Sequence, residues 1–167
     1  QVLNRHQDNL DLLFVDGTTA VAKVVLNEKD KAYVDVTDNL TFLKDNSFIW
    51  TSEKDGFIHI YLYDKTGKLK NQVTKGNWEV TSYYGFDEKT KTVFYQSTEN
   101  GSINRDVYRI ALDGKNKVRL SKNTGTNAGT FSPNFQFFIN TFSSASQPTT
   151  YTLSESKTGK EIQVIEN

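Results

Sequence analysis

One motif recurs three times along this chain at a nearly constant interval, and it restricts the possible folds more than any other feature. Phe42-Leu43-Lys44-Asp45-Asn46-Ser47-Phe48-Ile49-Trp50-Thr51-Ser52 is the first copy. Phe86-Asp87-Glu88-Lys89-Thr90-Lys91-Thr92-Val93-Phe94-Tyr95-Gln96-Ser97 is the second. Phe131-Ser132-Pro133-Asn134-Phe135-Gln136-Phe137-Phe138-Ile139-Asn140-Thr141-Phe142-Ser143 is the third. Each is a phenylalanine, a polar turn, and an aromatic strand that ends near a serine. The leading phenylalanines lie 44 and 45 residues apart, and the closing serines 45 and 46. Gly67, Gly114 and Gly159 keep the same beat, at intervals of 47 and 45. Repeats of this length mark solenoids, propellers and arrays.

Each period divides into four strand-like runs. They cover residues 40–42, 46–52, 57–63 and 68–73 in one unit, and 80–86, 92–97, 106–112 and 117–121 in the next. The following unit has 129–131, 136–142, 149–154 and 161–165. Asp55-Gly56 reads as a hairpin turn, because both residues tolerate positive φ. Asn100-Gly101 falls in a middle loop and Asp113-Gly114 in an outer turn. Ahead of these units, residues 10–16, 20–26 and 32–36 form a hairpin pattern around Asp16-Gly17, expected to belong to a blade without its first strand. Four antiparallel strands per period of about 45 residues predict an all-β fold, a partial β-propeller of three to four blades. A single domain, 1–167, then divides into blades 1–37, 38–78, 79–125 and 126–167. Helical periodicity is not persuasive anywhere.

The strands carry residues that suit stacked blades. Phe57, His59, Tyr61 and Tyr63 alternate with Ile58, Ile60 and Leu62, and neither row is polar, as in a strand covered on both faces. The last strand of each unit carries bases instead: Lys68 and Lys70; Lys115, Lys117 and Arg119; Lys157 and Lys160. Lysine on an open sheet edge discourages pairing with another chain. An anion or nucleic-acid patch would want stacking aromatics among the bases and a net positive charge. The chain has 20 Lys plus Arg against 20 Asp plus Glu, which gives no pull toward nucleic acid. It has no run of apolar residues long enough for a membrane span and no signal peptide. It begins at Gln1 and ends at Asn167 after a strand-like segment, so both ends read as cuts.

Autonomous chemistry is not legible. There is no Cys and no Gly-x-Ser-x-Gly elbow. His59 sits in an apolar run and reads as a packed, hydrogen-bonded side chain, and His6 lies in a polar stretch near the start. Nothing has the spacing of a metal site, and no glycine pattern suits a nucleotide cofactor, so no catalytic, metal or cofactor residue is assigned. Asn39-Leu40-Thr41 and Asn100-Gly101-Ser102 fit a glycosylation acceptor. Taken alone, the residues describe a binding or scaffolding propeller segment.

Several stretches resemble the propeller of the dipeptidyl peptidase IV family, with wording closest to bacterial, Bacteroidetes-like members. Leu3-Asn4-Arg5-His6-Gln7-Asp8-Asn9 resembles its Asn-Arg-x-Gln-Asn element. Thr74-Lys75-Gly76-Asn77-Trp78-Glu79-Val80 resembles its Thr-Lys-Gly-x-Trp-Glu-Val segment and is the most specific match. Asp106-Val107-Tyr108-Arg109-Ile110 with Arg119-Leu120-Ser121, and Phe131-Ser132-Pro133 with Tyr151-Thr152-Leu153, follow in order. The resemblance implies an eight-bladed propeller capping an α/β-hydrolase domain with a Ser-Asp-His triad. The whole enzyme would remove N-terminal dipeptides with Pro or Ala second, and would be exported to the periplasm or cell surface. The family's Glu-Glu amine anchor and its triad have no counterpart in this chain. The chain itself is then expected to be inactive, a gate and scaffold whose partners are the α/β-hydrolase domain and peptide substrates. Glu79 is the candidate channel-facing residue, because Trp78 and Val80 take the other face of its strand; an ordinary solvated glutamate is the competing reading.

Two rival readings remain open at this level. Phe131-Ser132-Pro133-Asn134 also bears a likeness to TolB-type binding propellers. Blades at an open edge expose apolar faces, which would let the chain act as a protein-interaction module or a homo-oligomer.

Overall fold

The computed structural model describes residues 1–166. Among them there is no helix, and the fifteen strands form four antiparallel sheets. The first sheet holds β1 (Val2–Leu3), β2 (Asn9–Val15) and β3 (Ala22–Lys29). The second holds β4 (Thr41–Phe42), β5 (Phe48–Ser52), β6 (His59–Tyr63) and β7 (Leu69–Gln72). The third holds β8 (Val80–Asp87), β9 (Thr92–Ser97), β10 (Asp106–Ala111) and β11 (Val118–Arg119). The fourth holds β12 (Thr126–Phe131), β13 (Phe137–Ser144), β14 (Gln147–Glu155) and β15 (Glu161–Glu166). Strands within each sheet follow sequence order. This is the up-and-down meander of a propeller blade, so the partial all-β propeller is the observed fold. The last residue of the fourth unit, Asn167, lies outside the described residues.

The first sheet differs from its expected make-up. Residues 32–36 are not a strand, and the additional strand is β1, which pairs with β2 through Val2–Asp11 and Leu3–Leu10. The reason is local. The Asp30 carboxylate accepts the Ala32 N–H at 2.7 Å and starts a turn, and the Val34 N–H donates to the Gln7 carbonyl at 2.6 Å. The segment carries the chain from the first sheet to the second, so it has no neighbouring strand. Its alternation of Ala32, Val34 and Val36 with Tyr33 and Asp35 imitates a strand without one, and Tyr33 and Val36 are exposed.

Successive sheets stack face to face, and side chains alternate between the two seams. From β5 and β6, Phe48, Trp50, Tyr61 and Tyr63 face the first sheet, where they pack on Leu10, Leu12 and Val25. Ile49, Ile60 and Leu62 face the third, against Val80, Val93 and Tyr95. Phe94, Val107, Leu120 and Phe138 fill the seam between the third and fourth. Every residue of β5, β6 and β9 is buried. Burial of each large apolar side chain contributes about 1.5–3 kcal/mol.

The repeat has a structural reason at each of its marks. Leading phenylalanines pack toward a neighbouring sheet: Phe42 meets Phe14 at 5.1 Å between ring centroids, and Phe131 meets Phe94 at 4.8 Å. The polar turn after each one contains a single left-handed residue, Asn46, Lys91 or Phe135. Gly67, Gly114 and Gly159 have φ of +86°, +82° and +71°. A Cβ on Gly67 would collide with the Val25 carbonyl, and one on Gly159 with the backbone of Leu120. These glycines therefore serve the turn and also the close approach of one sheet to the sheet before it. Outer strands β7 and β11 each pair on one side only, and Lys68, Lys70, Lys115, Lys117 and Arg119 stand exposed along them.

Candidate functional site

A cavity of about 410 Å³ opens where the first three sheets meet. Three pieces of chain build it. The connector after β3 supplies Asp30, Tyr33, Asp35, Thr37 and Asn39; the β5–β6 turn supplies Glu53, Lys54 and Ile58; the start of β8 supplies Val80 to Tyr83. Hydroxyl groups pin the connector to the second sheet. Thr37 Oγ1 and Thr51 Oγ1 lie 3.0 Å apart, and Asn39 Nδ2 donates to Thr51 Oγ1 at 3.2 Å. On the opposite wall the Tyr83 hydroxyl donates to Thr41 Oγ1 at 3.0 Å, and burial pushes its ionisation up to about 12. The β5–β6 turn closes with Gly56 at φ +95° and its N–H on the Glu53 carbonyl.

The cavity is acidic. Glu28, Asp30, Asp35 and Glu53 line it beside Lys29 and Lys54. Loss of water, then the charges of Asp35, Glu79 and Asp30, raise the Glu53 carboxyl above its ordinary range. Burial likewise raises Glu28, although Trp50 Nε1 donates to its Oε1 at 3.0 Å. Lys54 is engaged by two tyrosines. Its ammonium donates to the Tyr63 hydroxyl at 2.8 Å and sits 3.9 Å from the Tyr61 ring centroid. Such a site suits a cationic or hydrogen-bonding group. It holds no paired nucleophile and base.

Glu79 lies one residue before β8 and is half-buried. Its N–H donates to Thr98 Oγ1, and its carbonyl accepts the Thr98 N–H, both at 3.1 Å. Trp78 and Val80 on either side pack into the seam between the second and third sheets. Glu79 does not line the cavity but adds to its negative field through Glu53.

The motif around Glu79 has a different centre, His59. This side chain is fully buried. Its Nδ1 is 3.1 Å from Thr74 Oγ1 and its Nε2 3.0 Å from the Gly76 carbonyl. A carbonyl only accepts, so Nε2 carries a proton. The Trp78 ring meets the imidazole edge-on at 4.9 Å between centroids. The indole folds back over Gly76, where a Cβ would strike it. Thr74, Gly76 and Trp78 thus converge on one histidine, and His59 is a packed structural residue. His6 is exposed in the β1–β2 turn.

Sequence reading missed the acidic wall. Glu28, Asp35 and Glu53 come from segments with no shared spacing, and only the stacking of three sheets gathers them. The one available signal was the density of acids around residues 28–38, which the strand assignment at 32–36 obscured.

Fold and site together define a class, a segment of a β-propeller with an acidic groove between its sheets. The family described as the dipeptidyl peptidase IV (DPP IV) N-terminal region matches residues 1–149, and the chain belongs to that family. The structure superposes on the crystal structure of Porphyromonas gingivalis dipeptidyl peptidase 4 with a TM-score of 0.91 and 44% identity, over 98% of this chain and 23% of that one. Dipeptidyl peptidase 4 of Arthroderma otae is 31% identical over 121 residues, 69% of this chain and 16% of its own length. That of Trichophyton rubrum is 29% identical over 121 residues. The chain therefore spans about a quarter or less of the relatives it matches. The likeness to TolB-type propellers rests on four residues, 131–134.

Proposed function

We propose that this chain is the non-catalytic propeller segment of a dipeptidyl peptidase IV-like serine exopeptidase that removes N-terminal dipeptides with Pro or Ala second. It acts as substrate gate and scaffold, and its partners are an α/β-hydrolase domain and the peptide itself. The observation that carries this reading is the acidic cavity between blades of a chain whose family is that of dipeptidyl peptidase propellers. A positively charged peptide amine approaching the catalytic domain would be drawn along such a wall. The surrounding blades would keep folded proteins and bulk water away from the chemistry. Glu79, through its field at Glu53, belongs to the same approach path.

The test is kinetic and uses the full-length protein. Glu53→Gln and Asp35→Asn should raise KM for longer peptides more than for a Gly-Pro chromogenic dipeptide, with kcat unchanged. Equal effects on both substrates would remove the gating role. The chain alone should not turn over the chromogenic substrate; turnover above background would overturn the reading.

A further inference from the structure

Asn100 stands in the β9–β10 loop directly before Gly101. The triplet Asn100-Gly101-Ser102 has the form of a glycosylation acceptor, but the structure gives this amide other work. Its Nδ2 donates to Asp106 Oδ2 at 2.9 Å and to the Tyr108 hydroxyl at 3.0 Å. A sugar on that nitrogen would leave it one hydrogen for two acceptors.

We propose that Asn100 is a deamidation site which the folded blade holds closed, and whose product carboxylate is aimed at Asp106. In this reaction the Gly101 backbone nitrogen attacks the Asn100 Cγ and gives up its proton to solvent. The Cγ–Nδ2 bond breaks, ammonia leaves, and a succinimide ring forms. Water then opens one of the two ring C–N bonds, leaving aspartate or isoaspartate at position 100. Glycine obstructs the attack least, because it has no side chain beside the nucleophilic nitrogen.

The fold occupies both reacting groups. The Gly101 N–H donates to the Thr98 carbonyl at 3.0 Å, and the Asn100 amide is held by its two acceptors. Asn104 Nδ2 also donates to the Asn100 carbonyl at 2.9 Å. Reaction therefore runs from a locally opened loop. The product cannot close again in the same way. Asp106 is 1% exposed and already bound by Arg119, Ser121 and Asn127. Deamidation replaces a donor to it by a like charge at hydrogen-bond distance, which the buried setting amplifies. Conversion loosens the third blade irreversibly.

Two measurements test this. The chain is held at mildly alkaline pH, folded or in urea, and peptide mapping follows the amide-to-acid mass gain and isoaspartate at position 100. The unfolded chain should convert about tenfold faster or more, as local opening requires. Equal rates would overturn the protection. Second, Asn100→Asp and Asn100→Ala both remove the two donated bonds, but only the first adds charge. Asn100→Asp should unfold at the lower temperature, and the gap should close on acidification and in an Asp106→Asn background. An Asn100→Asp variant as stable as Asn100→Ala would overturn the role assigned to the charge.

Discussion

His59 and Asp106 hold the same place in successive sheets. Each begins the third strand of its sheet and pairs with the serine that ends the second, Ser52 or Ser97. Each is bonded to a hydroxyl from beyond the outer strand, Thr74 or Ser121. That same hydroxyl accepts the next N–H of the third strand, from Ile60 at 2.9 Å or Val107 at 3.1 Å. The repeat thus carries a polar staple between its third strand and the segment that leaves the blade. One copy uses a ring and the other a carboxylate.

The two staples should differ in strength. Thr74→Val removes a hydroxyl between the Ile60 N–H and His59 and should cost about 1–3 kcal/mol. Ser121→Ala removes a donor to a buried carboxylate and should cost more, because bonds to charged groups are the stronger class. Thermal or urea unfolding of the two variants gives the order. A smaller loss for Ser121→Ala would contradict it.

Glycine replacement should follow the inter-sheet distances and not the turn alone. All three outer-turn glycines have left-handed φ, so alanine adds roughly 1–2 kcal/mol of strain at each. Gly67→Ala and Gly159→Ala also force backbone of the preceding sheet aside. At Gly114 the nearest atom, the Val73 carbonyl oxygen, is 3.2 Å from the new Cβ. Gly114→Ala should therefore be the mildest. Equal midpoints for the three would mean that sheet packing plays no part.

Glu28 should make stability pH-dependent in an unusual direction. Its folded-state pKa is raised from 4.5, chiefly by desolvation. A raised pKa means that the folded state holds the proton more tightly, so stability falls as pH rises through the folded pKa. Glu28→Gln keeps an acceptor for Trp50 and removes the desolvated charge. The variant should match or exceed the parent at neutral pH, and the difference should shrink as pH falls toward 4.5. A variant less stable at neutral pH than in acid, relative to the parent, would reverse the assignment.

Asp45 should act in the opposite sense. Hydrogen bonds from Ser47, helped by Lys70 at 3.3 Å, lower its pKa to about 2. A lowered pKa adds stability that is present above the ordinary carboxylate range and lost as pH falls toward about 2. Asp45→Asn should lower the neutral plateau and flatten the acid limb by the same modest amount, because the site is solvent-exposed. An unchanged acid limb would show that the turn holds without the charge.

The isolated chain should self-associate. Phe137 and Tyr151 are exposed on the fourth sheet, as are Val15 and Val24 on the first, and exposed apolar surface of this kind favours pairing. Light scattering across micromolar concentrations should show dimers or larger species. A monomer throughout would count against pairing through open blade faces.

What could be read without coordinates was whatever repeats. The phenylalanine–turn–serine motif and the three glycines located the second, third and fourth sheets, because a period is a local pattern that survives in one dimension. The alternation of His59, Tyr61 and Tyr63 with Ile58, Ile60 and Leu62 likewise disclosed a strand covered on both faces. His59 was legible as a packed residue from its apolar neighbours alone.

In the first sheet β2 and β3 were legible, but its remaining strand and the groove were not, for the opposite reason. Residues 32–36 alternate like a strand, but whether they pair depends on where Gln7 lies, and Gln7 takes the Val34 N–H. Glu28, Asp35 and Glu53 share no spacing, and only the stacking of sheets brings them to one cavity. The sequence by itself determined the blade, its turns and its two-sided burial, since these follow from neighbours along the chain. The tertiary structure decided which charges meet, because an electrostatic field depends on distance through space.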